Sequence, residues 1–341
     1  MIEVSTIGLD IAKQVFHAHA ADASGVAIFS KKIPRSRLLS FFASQPPCLV
    51  AMEACGGAHH WGRELAKMGH QVRLIPPAYV KPFVKRQKND ALDAEAICEA
   101  AQRPGMRFVS VKTEAQQANA LLFRARDLFV RQRTQVVNAL RGHMAEFGWI
   151  APKGVKHARD LQALVSDPAS ELLPAARSML AAMLATLSML DEQIEALDQE
   201  VLRRSREDEV VRRLMTIPGV GPITAVAIAA LAPPLEGFAR GRDFAAWLGL
   251  TPRQRSTGGK QRLGSITKMG ERTLRRLLII GSSAVVRQAR LWCINKNPWV
   301  TQMLRRKPPM LVAVALANKT ARVIWAVMTK NESYRAPVLA Y

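Results

Sequence analysis

Four acids in the first hundred residues have the types and settings that metal-assisted phosphoryl transfer requires: Asp10, Glu53, Asp90 and Asp93. Asp10 follows Gly8-Leu9 at the end of an apolar run, residues 4–9, and Glu53 closes the run 48–52 in the same way. Asp90 and Asp93 stand at i and i+3 near the start of a helical stretch, on one face and within reach of each other. Hard carboxylate oxygens suit Mg2+, with Mn2+ as its substitute, and a pair of such ions can clamp the attacking and leaving oxygens of a transferring phosphate. Each acid also has a plainer reading. Taken alone, Asp10 is a strand-end turn residue, Asp90 a helix-start charge favoured by the dipole, and Asp93 a first-turn acid. Glu53 is the hardest to explain away, because an acid directly after a buried strand is costly unless paired.

The elements that must position these acids can be read from hydrophobic patterning. Residues 4–9, 14–20 and 26–33 suggest three antiparallel strands separated by turn-like breaks. Residues 38–42 look helical, 48–52 a buried strand, 58–68 a helix ended by Gly69, 72–76 a strand, and 90–101 a helix. That element order is the order of a ribonuclease H-like α/β fold, in which the first and fourth strands are neighbours, so Asp10 and Glu53 should face one cleft. The basic residues Lys81, Lys85, Arg86 and Lys88 precede Asp90 and suit either a nucleic-acid backbone grip or a solvated surface. His59-His60 reads as surface or packing, because imidazole is a poor partner for Mg2+.

A second constellation lies near the C-terminus. Ser256-Thr257-Gly258-Gly259-Lys260 is a turn with two hydroxyls, two glycines and a cation. Its glycines let the backbone approach a phosphate, and Lys260 and Arg262 supply charge. Ser256 is either a nucleophile beside cations or a turn residue in a phosphate-holding loop, and Ser265 lies close by as its rival. Between 251 and 280 the only acid is Glu271, against Arg253, Arg255, Lys260, Arg262, Lys268, Arg272, Arg275 and Arg276. The stretch 266–280 carries basic residues at helical spacing and should present Lys268, Arg272 and Arg275 to a backbone. Pro218-Gly219-Val220-Gly221 reads either as a helix-hairpin-helix turn, with Gly219 and Gly221 offering N–H groups to phosphate, or as a tight turn that needs glycine.

Between the two constellations the chain is helical. Leu180, Met183, Leu187, Leu190, Ile194, Leu197 and Val201 alternate spacings of three and four, an a/d coiled-coil seam that fits an intrachain hairpin or an oligomerisation arm equally well. Three parts are expected: 1–111 as the α/β catalytic domain, 112–207 as a long-helix coiled-coil arm, and 208–341 as a mainly α domain.

Composition narrows the partner. The 341 residues include 49 Lys and Arg against 27 Asp and Glu, a net charge of +22. Such an excess favours a polyanion, because neutralised phosphates release counterions; the spread of basic residues through folded-looking segments favours nucleic acid over an anionic membrane. Cys48, Cys55, Cys98 and Cys293 show no metal-ligand spacing and read as buried thiols in a reducing compartment. No signal peptide opens the sequence, and the longest apolar stretch, 310–317, is short of a membrane span, so a cytoplasmic protein is expected, nucleoid-associated when acting.

Together these residues carry a resemblance. The segments are Ile7-Gly8-Leu9-Asp10-Ile11-Ala12-Lys13, Met52-Glu53-Ala54-Cys55-Gly56 and Lys88-Asn89-Asp90-Ala91-Leu92-Asp93-Ala94, then Ile217-Pro218-Gly219-Val220-Gly221-Pro222, Ser256 through Gly264, and Ile266-Thr267-Lys268-Met269-Gly270. The chain resembles bacterial insertion-sequence transposases with an N-terminal RuvC-like acidic-tetrad (DEDD) domain and a C-terminal serine-bearing transposase domain. The resemblance implies a recombinase that moves its own element under the guidance of a non-coding bridge RNA. It implies Asp10, Glu53, Asp90 and Asp93 as a Mg2+-binding tetrad, and Ser256 as a nucleophile forming a phosphoserine bond to DNA. A homo-oligomer, dimer or tetramer, joined through the helical arm is expected, with the site completed either within one copy or in trans. Two alternatives stay open: a junction-resolving nuclease that uses water, and a non-catalytic nucleic-acid-binding protein.

Overall fold

The computed structural model describes residues 3–85, 89–150, 152, 158–291 and 297–336. The chain forms two compact units, Met1–Gln117 and Ala118–Tyr341.

In the first unit the strands are β1 (Thr6–Asp10), β2 (Val15–Ala21) and β3 (Ala27–Pro34), followed by helix α1 (Leu38–Ala43), β4 (Leu49–Glu53), α2 (Ala58–Lys67), β5 (Gln71–Ile75), the short α3 (Pro77–Val80) and α4 (Asp90–Ala101). The five strands run in the order β3-β2-β1-β4-β5. β1, β2 and β3 pair antiparallel, while β4 and β5 add on parallel to β1. This mixed sheet is the ribonuclease H-like arrangement expected from the element order. Period-two alternation divides its side chains between two cores. Ile7, Leu9, Phe16, Ala18, Val50, Met52 and Leu74 pack with Leu38 and Phe42 of α1 and Trp61 and Leu65 of α2. On the opposite face Ala51 and Ile75 pack with Ala96, Ile97, Ala100 and Ala101 of α4.

The second unit holds most of α5 (Glu114–Glu146), then α6 (Ala158–Ser166), α7 (Pro174–Glu207), α8 (Glu209–Met215), α9 (Pro222–Leu231), α10 (Gly241–Trp247), the hairpin strands β6 (Pro252–Gln254) and β7 (Leu263–Ile266), α11 (Arg272–Leu291), α12 (Pro298–Leu304) and α13 (Pro309–Lys330). The apolar seam of α7 finds its cover inside the chain. Leu180, Leu184 and Leu187 pack with Val137, Leu140 and Met144 of α5 and with Leu161 and Val165 of α6. Arg126 with Asp198, and Arg133 with Asp191, pair along the same two long helices. The buried positions also depart from a strict a/d seam, since Leu184 is buried where Met183 is only half-buried. The coiled-coil expectation therefore resolves, within one chain, into a helical hairpin closed by α6.

Helices α8 to α11 and α13 share a core around Phe244, Leu248, Leu274, Leu278, Ala317, Ala321 and Ile324, while Val300 of α12 packs in a smaller cluster with Val286 of α11 and Val312 and Leu316 of α13. Helix α13 extends well past the apolar run 310–317 that the sequence makes conspicuous, and by length and composition it could cross a bilayer, with a mean hydropathy of 1.5 in its most apolar window. Its buried stripe, Val312, Leu316, Thr320, Ile324 and Val327, is the face of a core helix.

Candidate active site

Strand alternation decides which acids can meet. Because Ile7 and Leu9 enter the core beneath α1 and α2, Thr6, Gly8 and Asp10 turn towards α4. β4 repeats the pattern: Val50 and Met52 point to the first core, Ala51 packs under α4, and Glu53 follows on Ala51's side. β1 and β4 are parallel neighbours with Leu9 opposite Met52, so Asp10 and Glu53 end adjacent strands on one face. The helix is brought onto that face by Gly8. A Cβ there would lie 2.2 Å from the Ala94 carbonyl oxygen and 2.5 Å from the Cys98 nitrogen, so only glycine allows so close a crossing. Asn89 fixes where the helix begins, its side chain accepting the Ala91 N–H at 3.1 Å. Asp90 and Asp93 thereby occupy the first turn of α4, where the dipole favours negative charge.

The acids sense one another. Burial pushes the Asp10 carboxyl above the usual carboxylate range, repulsion from Asp93 and Asp90 adds to it, and His17 and the Ile11 N–H oppose it. Glu53 is raised by burial first and then by Asp10 and Asp93. Among the described residues, no group of three His, Cys, Asp or Glu side chains is close enough to hold one ion as they stand. Asp90 leans outward, its side chain 56% exposed, with Oδ2 3.8 Å from Nε2 of His17. The donor chemistry nevertheless fits a hard divalent cation. It consists of carboxylate oxygens on a shared face, two of them burdened by burial and mutual repulsion that a cation would relieve.

His17 is the residue that sequence reasoning misses. It is buried, 6% exposed, on the α4 side of β2, and its main chain pairs with that of Asp10. The one signal is the alternation Phe16-His17-Ala18, which turns the imidazole away from the apolar core. Cys55 corrects another expectation. Read as a buried thiol, it is exposed in the loop beyond Glu53, whereas Cys48 and Cys98 are buried; Cys293 lies outside the described residues. His59 and His60 pack as expected, His59 Nδ1 accepting the Lys112 N–H at 3.1 Å and His60 lying edge-on to Trp61.

Ser256 stands exposed in the β6–β7 loop, where its Oγ accepts the Arg262 N–H at 3.1 Å. The Lys260 N–H donates to the Thr257 carbonyl at 3.0 Å across Gly258 and Gly259, both of which have positive φ. Arg253, Arg255, Lys260 and Arg262 are exposed around the serine, and Ser265 is exposed within β7. The hairpin's base is closely packed. A Cβ on Gly270, at φ 71°, would sit 1.7 Å from the Trp247 carbonyl oxygen.

Arg275 corrects the expectation of a phosphate contact. It is 9% exposed, and Nη1 donates to the carbonyls of Leu248 at 3.0 Å and Met269 at 2.7 Å, tying both ends of the hairpin to α11. Helical spacing does not distinguish a buried guanidinium that satisfies carbonyls from one that faces solvent. Lys268 and Arg272 are exposed, and Arg276 pairs with Asp127. Gly219, at φ 84°, turns the chain between α8 and α9 hard against Gly281 of α11, and Gly221 is exposed. Lys85 is engaged by Glu95 at 2.6 Å, while Arg86 and Lys88 lie outside the described residues.

Comparison with known proteins bears on both regions. Residues 7–148 match the DEDD transposase domain of the IS110 type, and residues 211–297 match the Transposase IS116/IS110/IS902 family. The chain is 46% identical over 340 residues to a probable family 20 transposase of Pseudomonas aeruginosa, covering 98% of this chain and 99% of that protein. This chain belongs to the IS116/IS110/IS902 family of transposases. The transposase is also similar to those of insertion sequence elements IS1328 of Yersinia enterocolitica and IS1111A of Coxiella burnetii. The former is 41% identical over 97% of this chain and 98% of the relative, the latter 38% over 98% and 92%. As a member of this family the transposase is a DNA-binding enzyme that cuts and recombines DNA, and its DEDD domain is of a kind that uses divalent metal.

Proposed function

We propose that this transposase moves its insertion sequence by phosphoryl transfer that uses the carboxylates of Asp10, Glu53, Asp90 and Asp93 to hold metal and Ser256 as the nucleophile, directed by a structured bridge RNA. The observation that carries the metal half is the convergence of Asp10, Glu53 and the start of α4 on one sheet face. Bound to these carboxylates, Mg2+ or Mn2+ would neutralise charge on the transferring phosphate.

The serine half rests on the hairpin. Ser256 Oγ accepts a backbone N–H, which leaves its own hydroxyl hydrogen to be given up and favours negative charge developing on the oxygen. Attack by Oγ on a DNA phosphorus forms a phosphoserine bond as the bond to the leaving strand oxygen breaks, and that oxygen takes a proton. Attack by the hydroxyl end of a second strand reverses the step and restores the serine. Arg253, Arg255, Lys260, Arg262, Lys268 and Arg272 are placed on exposed surface where they can hold phosphate. The tetrad belongs to the first unit of the chain and Ser256 to the second. Guidance by RNA is supported by the resemblance, and the net charge of +22 suits a nucleic-acid partner of either kind.

Trapping on a DNA substrate under denaturing conditions tests the nucleophile. A covalent protein–DNA adduct that disappears in Ser256→Ala and persists in Ser265→Ala is expected. Nicked DNA with free ends from the Ser256→Ala protein would show that water attacks and that the hairpin merely holds phosphate.

A further inference from the structure

The tetrad is uneven. Asp10 and Glu53 close buried strands, whereas Asp90 opens α4 with its side chain more than half exposed. Holding such a carboxylate towards its fellows needs a rigid partner, since ordering a free side chain costs entropy. One group is placed to do this. His17 is held on β2 between β1 and β3, buried, on the α4 face, beside Asp10 in register, and its Nε2 is 3.8 Å from Asp90 Oδ2.

We propose that His17 is a positioning residue of the metal site, using a donor at Nε2 to turn the Asp90 carboxylate from solvent towards Asp10. The proposal rests on the tetrad reading above. In metal sites a neighbour that hydrogen-bonds a ligating carboxylate sets its orientation, and losing it typically lowers metal affinity ten- to a hundredfold. His17 holds no ion itself; it reaches the site through Asp90. The strand supplies the precision, because its main-chain pairing with β1 fixes the distance between the imidazole and Asp10.

Mn2+ affinity of the full chain, read from the electron paramagnetic resonance of free Mn2+, provides a test independent of recombination. Glutamine places an amide N–H where His Nε2 stands, asparagine places it nearer the main chain, and leucine has none. His17→Leu and His17→Asn should each bind Mn2+ about tenfold more weakly, with His17→Gln within about twofold of the parent. Melting in chelator identifies any variant that fails to fold, and if His17→Leu does, the comparison of Asn with Gln decides. Parent-like affinity in His17→Asn, or equal loss in His17→Gln, would overturn the positioning role. The Asp10→Ala protein separates this from the larger reading: Mn2+ binding that it leaves intact removes the tetrad, and the role of His17 with it.

Discussion

At the scale of single residues, Asp10 and Glu53 make opposite demands on folding and on function. Burial and neighbouring acids raise both carboxyls, so the folded protein binds protons more tightly than the unfolded chain does. Stability attached to these groups is therefore intact below the unfolded pKa of about 4 and is lost as pH rises through the folded value. In chelator at neutral pH, Asp10→Asn should melt at a higher temperature than the parent, and the gain should vanish as pH approaches the unfolded value. Added Mg2+ should raise the melting temperature of the parent and leave the variant unmoved. A variant less stable than the parent across this range would mean that burial of Asp10 carries no electrostatic strain. That Asp10 and Glu53 end neighbouring strands on one face was legible in the sequence from the element order, and Glu53 stood out because an acid directly after a buried strand is costly unless paired. His17 was not legible. Its place beside Asp10 depends on the β1–β2 register, and a histidine in an alternating strand is ordinary until its cross-strand partner is known.

Among the elements, two packing devices hold the candidate chemistry. Gly8 lets α4 cross β1 at backbone contact, and Arg275 clips the hairpin that bears Ser256. Arg275→Met removes two charge-assisted hydrogen bonds from Nη1 and leaves two carbonyls to find new partners, a cost of about 2–3 kcal/mol. Hydrogen exchange should show faster exchange in residues 252–266 and around Leu248, with little change in the first unit. Unaltered protection of the hairpin would show that Gly249, Gly270 and the flanking core suffice without the clip. Helical spacing over 266–280 points to a helix that in the structure starts only at Arg272 and runs to Leu291, and it does not tell which of the cations turns inward, since period and charge are the same for a solvated face and for a buried guanidinium bonded to carbonyls. For α7 it supplied a seam without the partner. The cover comes from α5 and α6, an arrangement set by tertiary packing that heptad spacing alone cannot specify.

Over the whole molecule, an excess of 22 positive charges is distributed through folded segments rather than gathered in a tail. DNA binding should therefore be dominated by phosphate neutralisation. If the transposase contacts six or more phosphates, affinity should fall about a thousandfold or more between 50 and 200 mM salt, and Arg255→Ala or Lys260→Ala should each make that dependence shallower by about one phosphate. Salt-insensitive binding would point to apolar or base-edge contacts as the main source of affinity. The α/β order of the first unit was readable because β1 and β4 are short apolar runs and the other strands are bounded by turn residues; the second unit's mainly helical packing offered fewer constraints, and α13 exceeded its conspicuous apolar run because charged residues such as Lys319 and Arg322 punctuate a continuous helix. The central claim is that the acids gathered on the α4 face of the sheet drive DNA cutting and rejoining. The most direct measurement is excision of a marked insertion sequence in cells, quantified from the rejoined junction, for Glu53→Gln and Asp10→Asn at matched protein levels. Each should lower excision by about a hundredfold or more, the scale expected when electrostatic support of a transition state is removed. Excision near the parent level in either isosteric variant would contradict the account.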